Sequence, residues 1–84
     1  MSRLTFYGRP GCHLCETALE TVLRVQARYP FELEIVDIES DDRLLTRYLE
    51  RIPVLVLDGQ ERFAFFVPEA DLIDAIANLT PPAG

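Results

Sequence analysis

The chain has 84 residues, of which 49% are hydrophobic and 26% are charged. That length accommodates one small domain and excludes a second, and no apolar run approaches the roughly 20 residues that span a bilayer. Fourteen acidic residues against eight basic ones, all of them arginine, give a net charge of −6. Nucleic acids and anionic membranes require a positive surface, so we expect neither as a partner, and a partner with a basic face fits better.

The first elements form a predicted strand, helix and strand. Residues 3–7 are rich in β-formers and run into a loop at Gly8. From Cys12 onward apolar residues recur every three or four positions, which predicts an amphipathic helix that ends before Pro30. Residues 31–38 alternate between apolar and polar, which predicts a second strand.

A short helix and a hairpin follow. Residues 43–50 have one apolar side and predict a helix capped by Ser40, Asp41 or Asp42. The pair Ile52-Pro53 ends that helix, because the residue before a proline is pushed out of the helical region.

Two more strands and a last helix complete the predicted domain. Residues 54–57 form a continuous apolar strand, Asp58-Gly59 predicts a tight hairpin, and residues 61–66 form the return strand. In that strand we expect Phe63 and Phe65 to pack in the core and Phe66 to border the cysteines from the other face. The remaining apolar stripe predicts a helix that starts near Pro68.

The predicted order is β-α-β-α-β-β-α. A β-α-β unit makes its two strands parallel and the hairpin adds two antiparallel strands, so we expect a four-stranded mixed sheet covered by three helices. We expect residues 1–80 to form this single domain and residues 81–84 to form a disordered tail.

The only two cysteines, Cys12 and Cys15, are three residues apart. As a staple their disulfide would close almost no loop and would stabilise the fold little. A structural zinc site needs four ligands, which one chain does not supply, although two chains could pool four thiolates around zinc or an iron-sulfur cluster.

A reactive dithiol fits the spacing better. Residues i and i+3 share a helix face, and a first cysteine at the non-helical cap position can approach the second closely enough for a disulfide. The start of a helix also favours a thiolate on Cys12, which would attack, while the more deeply placed Cys15 would resolve the mixed disulfide.

These features resemble a known family. A strand, a C-x-x-C pair that opens a helix, and an X-Pro pair before a hydrophobic strand and hairpin resemble the thioredoxin fold. The compact order without an extra N-terminal strand is similar to glutaredoxins. The resemblance covers nearly the whole chain and depends most on residues 7–15 (YGRPGCHLC) and 51–55 (RIPVL). It implies an α/β, thioredoxin-like fold of the glutaredoxin type.

The resemblance also implies a substrate surface. Pro53 would be a cis-proline packed against Cys12 and Cys15, and Ile52 would offer its backbone to a substrate peptide or to glutathione. The other expected substrate-binding residues surround the first cysteine: Arg9, Pro10, Gly11 and His13. The imidazole of His13 would either stabilise the neighbouring thiolate or be an exposed side chain without a role.

The sequence departs from glutaredoxins where glutathione would bind. Those proteins usually carry Gly-Gly and an acidic or hydroxyl residue before the last helix, and a lysine ahead of the first cysteine. This chain has FFVPE at residues 65–69 and only Arg9 near the cysteine. Pro68 lacks an amide donor, and Phe66 and Val67 are bulky where a backbone would approach a ligand. We therefore expect no bound cofactor and expect glutathione to be a poor reductant.

We expect a small thiol-disulfide oxidoreductase that acts as a monomer on a disulfide in a protein or a small molecule, and the sequence leaves its electron donor open between glutathione and a reductase of the thioredoxin-reductase type. The alternatives are a dimeric zinc or iron-sulfur site and a non-catalytic interaction module. The N-terminus lacks the ~7–15-residue apolar core of a signal peptide, and two cysteines are too few for a secreted disulfide scaffold. We therefore expect a cytoplasmic protein.

Overall fold

The described part of the chain, residues 2–79 of a computed structural model, forms a mixed sheet with helices on both faces. The strands are β1 (Arg3–Gly8), β2 (Glu32–Asp37), β3 (Val54–Leu57) and β4 (Gln60–Ala64). The helices are α1 (His13–Arg28), α2 (Asp42–Tyr48) and α3 (Glu69–Leu79). The predicted order of elements is confirmed, whereas the predicted tail at residues 81–84 and the boundary at residue 80 lie outside the described residues.

The sheet has the order β2-β1-β3-β4. β1 is parallel to β2, with Leu4 opposite Leu33 and Phe6 opposite Ile35. β1 is antiparallel to β3, and β3 is antiparallel to β4. β1 therefore lies inside the sheet and carries the chain straight to the first cysteine.

The β3–β4 hairpin turns at the predicted Asp58-Gly59 pair. Both residues have positive φ, 49° and 86°, as a type I′ turn requires. Asp58 also bonds to Arg3 twice: its amide donates to the Arg3 carbonyl oxygen at 2.9 Å, and its Oδ1 accepts from the Arg3 amide at 2.8 Å. The turn thus fixes β3 against the start of β1.

The core lies mainly between the sheet and α1. Its fully buried side chains come from the central strands, from α1, from α3 and from the segment after β2: Leu4, Val22, Val25, Ile38, Val54, Leu55, Leu57 and Leu72. Among the described residues no helix combines the length and the apolar character needed to cross a membrane.

The opposite face of the sheet is covered by α2. The rings of Tyr7 and Tyr48 stack there at 4.6 Å between centroids. Burial raises the pKa of the Tyr7 phenol above 10.0, with Tyr48 and Glu34 adding to the effect and Arg47 opposing it. Because the folded protein keeps the Tyr7 proton to a higher pH than the unfolded chain does, ionisation of Tyr7 leaves stability unchanged below its ordinary pKa of 10.0 and lowers stability as the pH rises through the raised pKa.

The bounds of β2 and α2 differ from the predicted residues 31–38 and 43–50, whereas the cap of α2 is one of the three predicted residues. β2 ends at Asp37, because Ile38 turns into the core and starts a short 3-10 turn, Ile38–Ser40. The helix that follows is capped by Asp41, whose Oδ1 accepts from the Arg43 amide at 2.8 Å.

The expectation for the phenylalanines is wrong in part. Phe63 packs against the core as predicted, but β4 ends at Ala64 and Phe65 is 44% exposed. The backbone of Phe65 has φ 68°, and its amide donates to the Pro53 carbonyl oxygen at 3.0 Å. This left-handed residue breaks the strand alternation, so the side chain of Phe65 leaves the core.

A buried and an exposed leucine provide a test of the helix packing. Leu72 of α3 is fully buried and Leu23 of α1 is exposed, and both changes to alanine are made within a helix. We expect Leu72→Ala to lower the free energy of unfolding by about 2–5 kcal/mol and Leu23→Ala to change it by about 0.5 kcal/mol. Urea unfolding of both variants measures the difference, and equal losses would contradict the assigned packing of α3.

Candidate functional site

Cys12 caps helix α1. Its backbone is extended, with φ −96° and ψ 108°, and its Sγ accepts from the Cys15 amide at 3.1 Å. Its carbonyl oxygen accepts the first helical hydrogen bond, from the Glu16 amide at 3.0 Å. A cap residue satisfies amides that the first helical turn leaves without a partner. The sulfur of Cys12 thus lies at the positive end of the helix dipole.

The two cysteines form a disulfide, with 5.2 Å between their Cα atoms. That separation lies within the usual range for a bridge. Cys12 is partly exposed whereas Cys15 is only 5% exposed. The structure therefore joins the pair as predicted, with the first cysteine outside the helix and the second deeper in the protein.

Gly8, at the end of β1, forms the floor beneath Cys15. A Cβ on Gly8 would lie 3.1 Å from Cys15 Sγ and 3.0 Å from the ring of Phe6. A side chain at this position would be in tight contact with both groups and would require them to shift by a few tenths of an ångström.

The predicted proline loop lies beside the start of β3. The bond Ile52-Pro53 is cis, and both residues are buried. The Ile52 amide donates to the Tyr48 carbonyl oxygen at 3.1 Å, and the Pro53 carbonyl oxygen accepts from the Phe65 amide at 3.0 Å. The loop is therefore anchored both to α2 and to the segment after β4, and the Ile52 amide is already engaged within the chain.

The other expected binding residues lie on the loop before the helix and on its first turn. Arg9 Nη2 is 3.2 Å from Glu39 Oε2. Pro10 and Gly11 are exposed, and Gly11, with φ 78°, makes the turn into Cys12. Arg9 and Pro10 line the same groove as Cys15, while the charge of Arg9 is directed to a carboxylate.

His13 faces solvent. Its side chain is 98% exposed and its Nδ1 lies 3.6 Å from Glu16 Oε2. The sequence allowed His13 either to stabilise the Cys12 thiolate or to be an exposed side chain, and its position in the structure agrees with the second interpretation. Any positive charge on its imidazole is directed toward Glu16.

Residues 65–68 offer few free amides. The Phe65 amide donates to Pro53 and the Phe66 amide donates to the Ala64 carbonyl oxygen at 2.8 Å, while Pro68 has no amide hydrogen. The side chains of Phe65 and Phe66 instead share a shallow groove with Leu14. The apolar stripe predicted from Cys12 onward includes Leu14, but this side chain, in the first turn of α1, is 40% exposed.

A second groove lies on the other side of α1. It has a volume of 240 Å³ and an apolar lining that includes Phe6, Cys15, Leu19 and Ile35. Within residues 2–79, no cluster of three or more His, Cys, Asp or Glu side chains is arranged to hold a metal ion.

Known structures share this architecture. A thioredoxin from Halobacterium salinarum superimposes with a TM-score of 0.74 at 22% identity, over 99% of this chain and 78% of the thioredoxin. That level of identity shows the fold alone. The molecule is therefore an α/β protein of the thioredoxin-like fold with a C-x-x-C disulfide at the start of its first helix.

The sequence comparison assigns the chain to a narrower group than the fold does. The sequence model of the glutaredoxin-like domain (DUF836) matches residues 3–77, so the chain belongs to that family. A Nitrosomonas europaea protein determined by solution NMR is 36% identical, with 88% of each chain covered and a TM-score of 0.74. A protein of X. campestris is 30% identical, with 93% of this chain and 99% of that one covered and a TM-score of 0.72. None of the curated proteins matches this chain.

The cap can be tested apart from the redox chemistry. With reductant present, we expect Cys12→Ser to keep the cap, because a hydroxyl accepts from the Cys15 amide, and Cys12→Ala to lose it. The alanine variant should be less stable than the serine variant by about 1 kcal/mol, as measured by urea unfolding. Equal stabilities would show that the side chain at residue 12 does not cap α1.

Proposed function

We propose that this protein is a thiol-disulfide oxidoreductase in which Cys12 attacks a substrate disulfide and Cys15 resolves the product. The observation that carries the proposal is the asymmetry of the pair: Cys12 is accessible at the helix cap, whereas Cys15 is buried one turn further along. A structural bridge over three residues would need no such asymmetry and would add little stability.

The position of Cys12 favours the thiolate. The amide of Cys15 points at its sulfur at 3.1 Å, and a hydrogen bond to a charged acceptor is stronger than one to a neutral acceptor. The helix dipole adds to this effect. Cysteines at helix N-termini have pKa values below the ordinary ~8.5, and we expect the same of Cys12 in the reduced protein.

The reaction has two exchange steps. The Cys12 thiolate attacks one sulfur of the substrate disulfide, which breaks the substrate S–S bond, releases the other sulfur as a thiolate and leaves substrate bonded to Cys12. Cys15 then loses its proton and attacks the Cys12 sulfur, which forms the intramolecular disulfide and releases the second substrate thiolate. Two electrons pass from the dithiol to the substrate, and the released thiolates take up protons.

Burial of Cys15 sets the order of these steps. A buried sulfur is poorly accessible to an external disulfide, but it lies next to Cys12 and needs only that neighbour to react. A bound substrate would lie along the proline loop. The Ile52 amide already donates a hydrogen bond to the Tyr48 carbonyl oxygen, so the backbone group that we assign to substrate is the carbonyl oxygen of Ile52.

The electron donor we propose is a reductase of the thioredoxin-reductase type rather than glutathione. The amides of Phe65 and Phe66 donate hydrogen bonds within the chain, so the segment before α3 has few free donors for the charged backbone of glutathione. Glutathione also has a glycyl carboxylate, which arginines at or just after the end of α2 could bind, but Arg51 pairs with Glu61 and the Arg47 guanidinium lies 5.4 Å from the centre of the Tyr48 ring.

The thiolate can be measured directly. We expect reduced protein to react with iodoacetamide at Cys12 well below pH 8, with mass spectrometry locating the modification, because the cap lowers the thiol pKa. The Cys12→Ser variant is the control and should stay largely unmodified at that pH. A Cys12 reaction that rises only with a midpoint near ~8.5 would oppose the proposal.

The donor is tested by reducing the oxidised protein in two ways. We expect rapid reduction by NADPH with a thioredoxin reductase and slow reduction by glutathione, followed as loss of the Cys12–Cys15 disulfide by thiol labelling. The lack of free amides at residues 65, 66 and 68 is the reason for the slow glutathione reaction. Efficient turnover with glutathione would show that this reasoning is wrong.

A further inference from the structure

We propose that three exposed apolar side chains beside the disulfide, Leu14, Phe65 and Phe66, select protein disulfides whose cysteine is flanked by apolar residues. We call these three the apolar rim. This inference depends on the proposed function, because it names the substrate class of the same site.

The apolar rim includes Leu14, one of the two residues between the cysteines, and therefore lies beside the proposed position of the substrate. Leu14 stands between Cys12 and Cys15 in the first turn of α1 and is 40% exposed, and Phe66 is 68% exposed. Both side chains line one groove. Leu14 is only two residues from Cys12 and lines this groove together with both phenylalanines, so we assign the groove to the substrate bonded to Cys12.

The backbone presents these side chains rather than its own polar groups. Phe65 has φ 68°, a conformation that bulky residues rarely adopt and that recurs at functional sites. Hydrogen bonds from the Phe65 amide to Pro53 and from the Phe66 amide to Ala64 fix the segment. Because these two amides are used internally, the segment presents mainly the side chains of Phe65 and Phe66 to a ligand.

Apolar contact determines the chemistry of the substrate. Glutathione is a small polar molecule with charged ends, and it has no side chain that would cover two phenylalanines and a leucine. A protein segment with a Leu, Phe or similar residue next to its cysteine would cover them and remove apolar area from water. The net charge of −6 further disfavours an anionic ligand.

The test compares two disulfide-linked peptides of equal length and charge, one with leucines and one with serines beside the cysteines. We expect wild-type protein to prefer the leucine peptide in kcat/KM. Phe66→Ala should lower that preference by roughly five- to tenfold, the size of one good aromatic contact. Phe66→Leu should retain more of the preference, and urea unfolding checks that both variants fold.

Leu23→Ala is the matched control, because Leu23 is an exposed apolar residue farther along α1 that lines neither of the two grooves. It should keep the wild-type preference. A preference unchanged in Phe66→Ala, or one lost equally in Leu23→Ala, overturns the inference.

The small disulfide of hydroxyethyl disulfide separates the two proposals. Wild-type protein that reduces this compound but does not distinguish the two peptides overturns the selection by the apolar rim alone. Wild-type protein that reduces neither peptide nor the small disulfide overturns the proposed function, and the inference with it.

Discussion

The hydrogen bond from the Cys15 amide to the sulfur of Cys12, 3.1 Å long, is the interaction on which the site depends. It needs Cys12 in an extended conformation just outside the helix, and that single placement has three effects. It satisfies an amide of the first turn, it brings two residues three apart within reach of a disulfide, and it puts one sulfur at the positive end of a helix dipole. The cap, the disulfide and the proposed reactivity of Cys12 thus depend on one structural feature.

The rest of the fold holds this feature in place. β1 runs through the inside of the sheet and ends at Gly8, where the lack of a side chain lets the strand pass under Cys15. The proline loop is tied to α2 at Tyr48 and to the segment after β4 at Phe65. The end of β1 pairs with the start of β3, with Tyr7 opposite Val54, so the loop that leads to Cys12 and the proline loop lie at the same end of the sheet. The helix contributes sulfur there, and the segment after β4 contributes the apolar rings of Phe65 and Phe66.

Much of this arrangement is readable from the sequence. The fold follows from strong local signals: the apolar stripe after Cys12, the alternation before Asp37, and the pair Asp58-Gly59. That pair favours a type I′ turn, and both residues have the positive φ angles of such a turn. The placement of the side chains around the site does not. Phe65 fits the alternation of a strand, but a long-range bond from its amide to Pro53 turns it outward, and no local pattern reports such a bond. Likewise the pairing of Arg9 with Glu39 joins residues on different elements.

The most direct measurement of the central claim, that Cys12 attacks and Cys15 resolves, is to trap the intermediate. The reduced Cys15→Ser protein is mixed with a disulfide-linked peptide, and intact-mass and fragment spectra locate the adduct. The account predicts a stable mixed disulfide on Cys12, while Cys12→Ser forms none and wild type releases the peptide thiol. An adduct that accumulates on Cys15 in the Cys12→Ser protein at a comparable rate would contradict it.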